Sequence, residues 1–475
     1  MNQIIKRTAP ALALLGLGLA GCQPTIEAPA ASAGSANFSS YVAVGNSLTS
    51  GYSDGGLYNE AQATSYPSLL AQQFAKTGNG PANFVQPAFS PAKKDGSAYI
   101  QLRAVNGVLT PVVPSMANGF LGEAIAYTGG KLVGSGQDEL EAYSGNQPDN
   151  LGVPGISVLS ADKTAATTSS PALNAATRGA AAAYGVINSF YQRILPAADR
   201  GTKDYVTYIS QKSATFFTCW MGNNDVLTYA ANGGVSSLTT NPFSGMTDTT
   251  SFGKGYRNIV GTISKNGTVG GICANIPNVT TIPYFTTIPV AAVIASIKAN
   301  PAIPNAAAAS LYITTGTGTV REATSADLLT LPARAVIGTP SGTANPFPVG
   351  LGYSATQSNP LPSQYVLDAT EAAAVVTRTN LLNAIIAKTA RQNKVAFADM
   401  NTFFTTVGQQ GFVTNAVNNT ATFASGNLFS LDGVHPTPRG YAVIANEFIR
   451  VINGFYGSSV PTVNPNNYRG VTFPL

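Results

Sequence analysis

Short apolar runs closed by glycine alternate along this chain with segments whose apolar residues recur at helical spacing. Tyr41-Val42-Ala43-Val44 is an unbroken apolar run stopped by Gly45, the pattern of a buried strand. Thr215 to Met221, residues 269–276 and Val395 to Ala398 repeat it. Tyr66 to Lys76 places Leu69, Leu70 and Phe74 on one helical face, with Pro67 suited to a first turn. Further helices are predicted over 172–194 and 251–264. Asp368-x-x-Glu371 has the spacing of a capping box and opens a helix to about Asn393. The last helix starts at Thr437-Pro438. Tyr441, Ile444, Ala445, Phe448 and Ile452 form its apolar face, and Gly454 is its expected stop. Strands alternating with helices predict an α/β fold with a mainly parallel sheet. Two stretches break the alternation with Gly, Pro and Thr and are predicted to be loop-rich insertions, 88–149 a loop-and-hairpin region with short alternating pieces such as Tyr99-Ile100-Gln101-Leu102, and 279–366 loop-like.

The composition narrows the function classes. Only 10% of the 475 residues are charged, and 26 Lys and Arg stand against 21 Asp and Glu without basic runs. Nucleic acid is therefore not an expected partner, because phosphate recognition needs a clustered positive patch. One histidine and three cysteines leave no material for a zinc cluster, so no metal and no other cofactor is expected. No stretch reaches 18 apolar residues, which excludes a membrane-crossing helix.

The first residues read as an address. Lys6 and Arg7 precede a short apolar run that ends in Leu19-Ala20-Gly21-Cys22. Small residues before a cysteine resemble the lipobox of bacterial lipoproteins. That resemblance implies a signal peptide over 1–21, lipidation at Cys22 and a lipid anchor in the cell envelope. Gln23 stands where Asp would mark inner-membrane retention in many Gram-negative bacteria, so the outer membrane is expected. Residues 22–36, rich in Pro, Ala and Ser, are read as a flexible tether, with the folded domain over 37–475. Cys219 and Cys273 lie in apolar runs and are expected to be buried free thiols rather than a disulfide.

Candidate chemistry sits at predicted strand ends. His435, the single histidine, lies in Asp432-Gly433-Val434-His435, where a carboxylate three residues earlier can reach its ring. Gly45-Asn46-Ser47-Leu48 follows the first strand and exposes a serine at the carboxyl end of the sheet, where open α/β sheets bind ligands. Gly222-Asn223-Asn224-Asp225 follows another strand and offers a side-chain amide to a developing oxyanion. Asn150-Leu151-Gly152-Val153-Pro154-Gly155 is a glycine-rich turn that can present a backbone N–H. Each of these also reads as an ordinary polar turn when taken alone.

Together and in this order, the four blocks resemble the SGNH (GDSL-type) hydrolase family. The resemblance implies a three-layer α/β/α fold with a flavodoxin-like central sheet. It implies a serine ester hydrolase, carboxylesterase- or lipase-like, that works through an acyl-enzyme. Ser47 would be the nucleophile, His435 the base and Asp432 its orienting carboxylate. Gly155, Asn224 and the Ser47 amide would form the oxyanion hole, and Asn223 would hold the motif's variable, tolerant position. Asn46 departs from the family's usual Asp. The family core of roughly 200 residues covers about half of the mature chain and leaves both insertions unexplained. A carbohydrate O-deacetylase using the same machinery, or a non-catalytic binding lipoprotein, are the alternative expectations. The acyl chain, the alcohol and the oligomeric state stay open.

Overall fold

The computed structural model describes residues 30–474 except 106, 113–126, 132–137, 163–187, 201, 237–242, 343–344 and 415. The segment read as a signal peptide, Cys22 and most of the helix expected over 172–194 lie outside the described residues.

Five strands build the central sheet: β1 (Tyr41–Gly45), β2 (Asn150–Gly152), β3 (Phe216–Trp220), β4 (Gly270–Ala274) and β5 (Ala396–Ala398). All neighbours are parallel and run in the order β2-β1-β3-β4-β5, the flavodoxin-like order. Helices cover both faces, which is why the strands read as continuous apolar runs rather than alternating ones. Val42 and Val44 of β1 pack in one layer with α3 (Thr249–Ile263) and α4 (Ala369–Gln392). Tyr41 and Ala43 pack in the other with α1 (Tyr66–Ala75) and α5 (Pro438–Tyr456). The remaining helix needed for the site, α2 (Asn224–Ala231), leaves the end of β3. α4 opens on both hydrogen bonds of the Asp368–Glu371 capping box. Cys219 and Cys273 are register partners on β3 and β4, both buried and both free.

Three expectations are corrected. Gly454 lies inside α5, which runs on to end at Gly457 in the left-handed region (φ 61°). Gly454 costs the helix only about 1 kcal/mol, and the left-handed cap is the stronger stop. The folded body begins before residue 37. Ala33 and Ala36 are buried, Ser35 donates its amide to the Tyr456 carbonyl, and Ser459 donates its amide to the Ser32 carbonyl. Finally, most of the 279–366 stretch is built rather than loop-like. Ser310–Thr314, Val320–Glu322, Leu351–Ser354 and Gln357–Ser358 form a four-stranded antiparallel sheet under the helix Val290–Ala299. Leu311, Ile313, Leu329 and Leu361 give it a core of its own. Its strands are only two to five residues long, and its two short hairpins join only where Leu351–Ser354 meets Ser310–Thr314, so no sequence window carries the alternation that would announce them. The 88–149 stretch does hold hairpins, Gln101–Val105 with Val108–Val112 and Tyr127–Lys131 with Asp138–Leu140.

Candidate active site

The site is assembled at the carboxyl edge of the sheet, where β1 lies between β2 and β3. Gly45 pairs with Gly152 on one side and Trp220 on the other, so the three turns that follow these strands start side by side. The close approach requires glycine. A Cβ on Gly45 would run into the Thr49 hydroxyl, and one on Gly152 into the Ser50 amide. The chain after Gly45 turns into a single helical turn, Ser47–Ser50, capped by the Asn46 side chain, whose Oδ1 accepts the Leu48 amide at 3.1 Å. Ser47 is the first residue of that turn, so its own amide has no intrahelical acceptor. Asn150 ties β2 to the same turn by donating Nδ2 to the Thr49 carbonyl at 2.8 Å.

Ser47 Oγ stands 2.8 Å from His435 Nε2, and His435 Nδ1 stands 2.8 Å from Asp432 Oδ2. The Asp432 and His435 side chains are each 13% exposed. The Asp432 carboxylate is saturated with donors. Oδ1 accepts the amides of Val434 and His435, both at 2.8 Å, and the Ser430 hydroxyl at 3.1 Å; Oδ2 also accepts the Gly55 amide at 2.8 Å. Burial alone would raise its pKa, but the His435 ring and these N–H groups outweigh it and hold the carboxyl at about 2. Tyr52 packs on the histidine, with ring centroids 4.7 Å apart.

A second carboxylate, absent from the sequence reading, supports the first. Asp54 Oδ1 accepts the Leu431 amide at 2.9 Å, and the Asp54 amide donates to Ser430 Oγ at 2.8 Å. Asp54 Oδ2 takes the Tyr58 hydroxyl at 2.9 Å and lies 3.9 Å from Arg469, which also grips Glu60 at 2.7 and 3.0 Å. Burial pushes Asp54 above the usual carboxylate range despite these partners. The histidine loop is thus held by residues from both ends of the chain. The only sequence signal was the Ser-Asp-Gly-Gly run at 53–56, an ordinary turn pattern. The second insertion also reaches this loop, where the Tyr284 amide donates to the Gly433 carbonyl at 2.9 Å.

Asn224 Nδ2 donates to the Ile156 carbonyl at 2.8 Å, so its amide and the Gly155 turn are joined directly. Gly155 is exposed, with φ +79°. The neighbouring Asp225 is fully buried and binds the Val158 amide and the Thr247 hydroxyl, both at 2.8 Å. Burial pushes its carboxyl up to about 6 against the pull of those hydrogen bonds. Ser47 and His435 open onto a small cleft of about 40 Å³. Leu48, Leu227, Val279, Ile282, Phe404 and Phe429 wall it, and so does Asn223, which the sequence reading had left as a bystander.

A family model described as GDSL-like Lipase/Acylhydrolase matches residues 119–448. No curated protein and no solved structure matched the chain. The turn carrying Ser47 precedes the matched span, and β1 together with the Ser47–His435 hydrogen bond joins it to that span. A match over more than half of the chain, covering the Gly-x-Asn-Asp and Asp-x-x-His turns, settles the family: the chain belongs to the GDSL-like lipases/acylhydrolases and is a carboxylic ester hydrolase.

Proposed function

We propose that the protein hydrolyses short-chain acyl esters through a covalent acyl-serine on Ser47. The observation that carries this is the unbroken chain of two 2.8 Å hydrogen bonds from Ser47 through His435 to Asp432. His435 Nε2 takes the Ser47 proton as Oγ attacks the ester carbon, and returns it to the departing alkoxide. Water, activated by the same nitrogen, then releases the acid. Asp432 accepts a hydrogen bond from the Nδ1–H, which fixes the tautomer and leaves Nε2 unprotonated and free to act as base. The narrow, apolar cleft favours a short chain over a long one. A binding lipoprotein has no need of this constellation. Labelling by a fluorophosphonate, mapped to Ser47 by peptide mass, tests the reading; label on another residue, or none, overturns it.

Asn224, Gly155 and the Ser47 amide are assigned to the tetrahedral oxyanion. One Asn224 N–H is spent on Ile156, which aims the other. Asn224→Ala should lower kcat by about 10² to 10³ with little change in KM, because the charge it meets exists only in the transition state. Steady-state kinetics on p-nitrophenyl butyrate would check this; a change confined to KM would make Asn224 a substrate-binding group.

The lipid anchor on Cys22 and the outer-membrane location belong to the same proposal. The chain enters the folded body beside Tyr456 and Ser459, at the far end of α5 from His435. Nineteen helical residues, roughly 28 Å, separate the two ends. Cys22→Ser should release the protein from the membrane fraction with its esterase activity retained, as fractionation followed by assay would show.

A further inference from the structure

We infer that Asp225 is a positioning residue of the oxyanion hole: it locks the Gly155 turn onto the Asn224 turn, so that the donors on both meet one oxygen. The inference rests on the esterase reading above and on its assignment of Gly155 and Asn224.

The need for a lock follows from the sheet. The Gly155 turn follows β2, the Asn224 turn follows β3, and β1 lies between them. Two strand spacings, about 10 Å, separate the starts of the two turns. Their donors converge only if the turns are tied to each other across the end of β1. Little holds Gly155 itself. It is exposed, and a Cβ there would come near only the Asn188 amide, at 3.7 Å. The turn is therefore fixed through its flanks. On one side Asn188 Nδ2 donates to the Pro154 carbonyl at 2.8 Å. On the other, the first two residues of α2 grip the chain with opposite polarity. Asn224 Nδ2 donates to the Ile156 carbonyl, and Asp225 Oδ2 accepts the Val158 amide, both at 2.8 Å. The first bond alone would let the segment pivot about Ile156; the second, two residues further on, fixes its direction.

The use of an aspartate points the same way. Val158 opens the short helical turn Val158–Ala161, so its amide has no acceptor within that turn. Ser157 spends its hydroxyl oxygen on the Ser160 amide, and an acceptor from elsewhere is needed. Asp225 is 1% exposed, and burying a carboxylate is costly. Its two oxygens serve three donors: the Val158 amide, the Thr247 hydroxyl at 2.8 Å and, more weakly, the Leu159 amide at 3.4 Å. Thr247 is fixed in turn. Its amide donates to the Asp225 carbonyl at 3.0 Å, and its carbonyl accepts Arg378 Nη1 of α4 at 2.7 Å. With both oxygens committed in this way, Asp225 does not meet the ester. It acts through Gly155 and Asn224.

The test compares the full wild-type chain with Asp225→Ala, Asp225→Asn, Asn224→Ala and the double variant Asn224→Ala with Asp225→Ala, by steady-state kinetics on p-nitrophenyl butyrate. Asp225→Ala releases the Val158 amide, and the displaced turn should lower kcat about 10- to 100-fold with little change in KM. Asp225→Asn should recover most of that loss, because its amide oxygen keeps the Val158 bond while its NH₂ donates to the Thr247 hydroxyl. The double variant should lose clearly less than the product of the two single losses, because a loosened turn no longer aims Asn224. A trifluoromethyl ketone adds to Ser47 Oγ and places an oxyanion in the hole. Its affinity for Asp225→Ala should fall by about the factor lost in kcat, and that constant does not depend on how much of the preparation is folded. Wild-type kcat in Asp225→Ala, a loss confined to KM, no recovery in Asp225→Asn, or single losses that multiply in full would each overturn the assignment. Should circular dichroism show Asp225→Ala unfolded, Val158→Pro takes its place under the same criteria. It removes the same N–H at a first helical position, where proline is well tolerated, after an extended Ser157 (φ −106°, ψ 165°). The two readings fail differently. Wild-type kcat in Asn224→Ala sinks the oxyanion assignment itself, whereas a loss at Asn224 with none at Asp225 sinks only the role of Asp225.

Discussion

Ser47→Ala is expected to lower kcat/KM for p-nitrophenyl esters by about 10⁴ to 10⁶-fold while the protein stays folded. The size follows from what the hydroxyl does. In the proposed mechanism it forms the covalent bond to the acyl carbon. The residual rate would come from the oxyanion donors and the bound ester alone. The fold should survive, because the side chain makes one hydrogen bond, to His435. A single such bond contributes about 0.5–1.5 kcal/mol, and the geometry of the turn is held by Asn46, Asn150 and the glycines instead. Circular dichroism melting should place the variant within a few degrees of the wild type. If the folded variant kept more than about a tenth of wild-type kcat/KM, the nucleophile would lie elsewhere.

Asp432→Asn should cost about 10⁴-fold in kcat. Asp432 Oδ1 is committed to the amides of Val434 and His435 and to Ser430. In the variant the new NH₂ would take the place of Oδ2 and point its hydrogens at His435 Nδ1. The ring would then carry its proton on Nε2, facing Ser47, and could not act as base. The same NH₂ would oppose the Gly55 amide that Oδ2 now accepts. The pH behaviour separates this from simple unfolding. Asp432 is held at about 2, below its ordinary value near 3.9. The stability it contributes is therefore present above about pH 4, and is lost only as pH falls toward 2. Between pH 5 and 9 the group stays ionised. A fall in activity of Asp432→Asn across that range with the melting temperature retained is therefore a loss of chemistry rather than of fold; a variant that melts at room temperature between pH 5 and 9 would make the role of Asp432 structural.

Much of the frame was readable without coordinates, and for local reasons. Buried parallel strands must be unbroken apolar runs, so Tyr41 to Gly45 and Phe216 to Trp220 announced themselves. The capping box at Asp368 and the left-handed requirement of tight turns are written in single residues. The Asp432–His435 pairing spans three positions, short enough for spacing alone to suggest it.

What depended on contacts between distant segments was not readable. Asp54, Ser430 and Arg469 are polar residues in unremarkable turns, and only the folded chain brings them together to hold the histidine loop. The sheet within 279–366 forms because Ser310–Thr314 and Leu351–Ser354 meet across an interval that no periodicity spans. Asn223 and Asn224 look alike as a dipeptide. The turn after β3 sends the Asn224 amide to Ile156 beside Gly155 and buries the Asn223 side-chain oxygen without a hydrogen-bond partner. Local sequence determined which segments become strands, helices and turns, since those choices are made by a few neighbouring side chains and the backbone. Tertiary structure decided which polar groups are buried and which partners they find, because burial and hydrogen bonding depend on the whole set of surrounding elements.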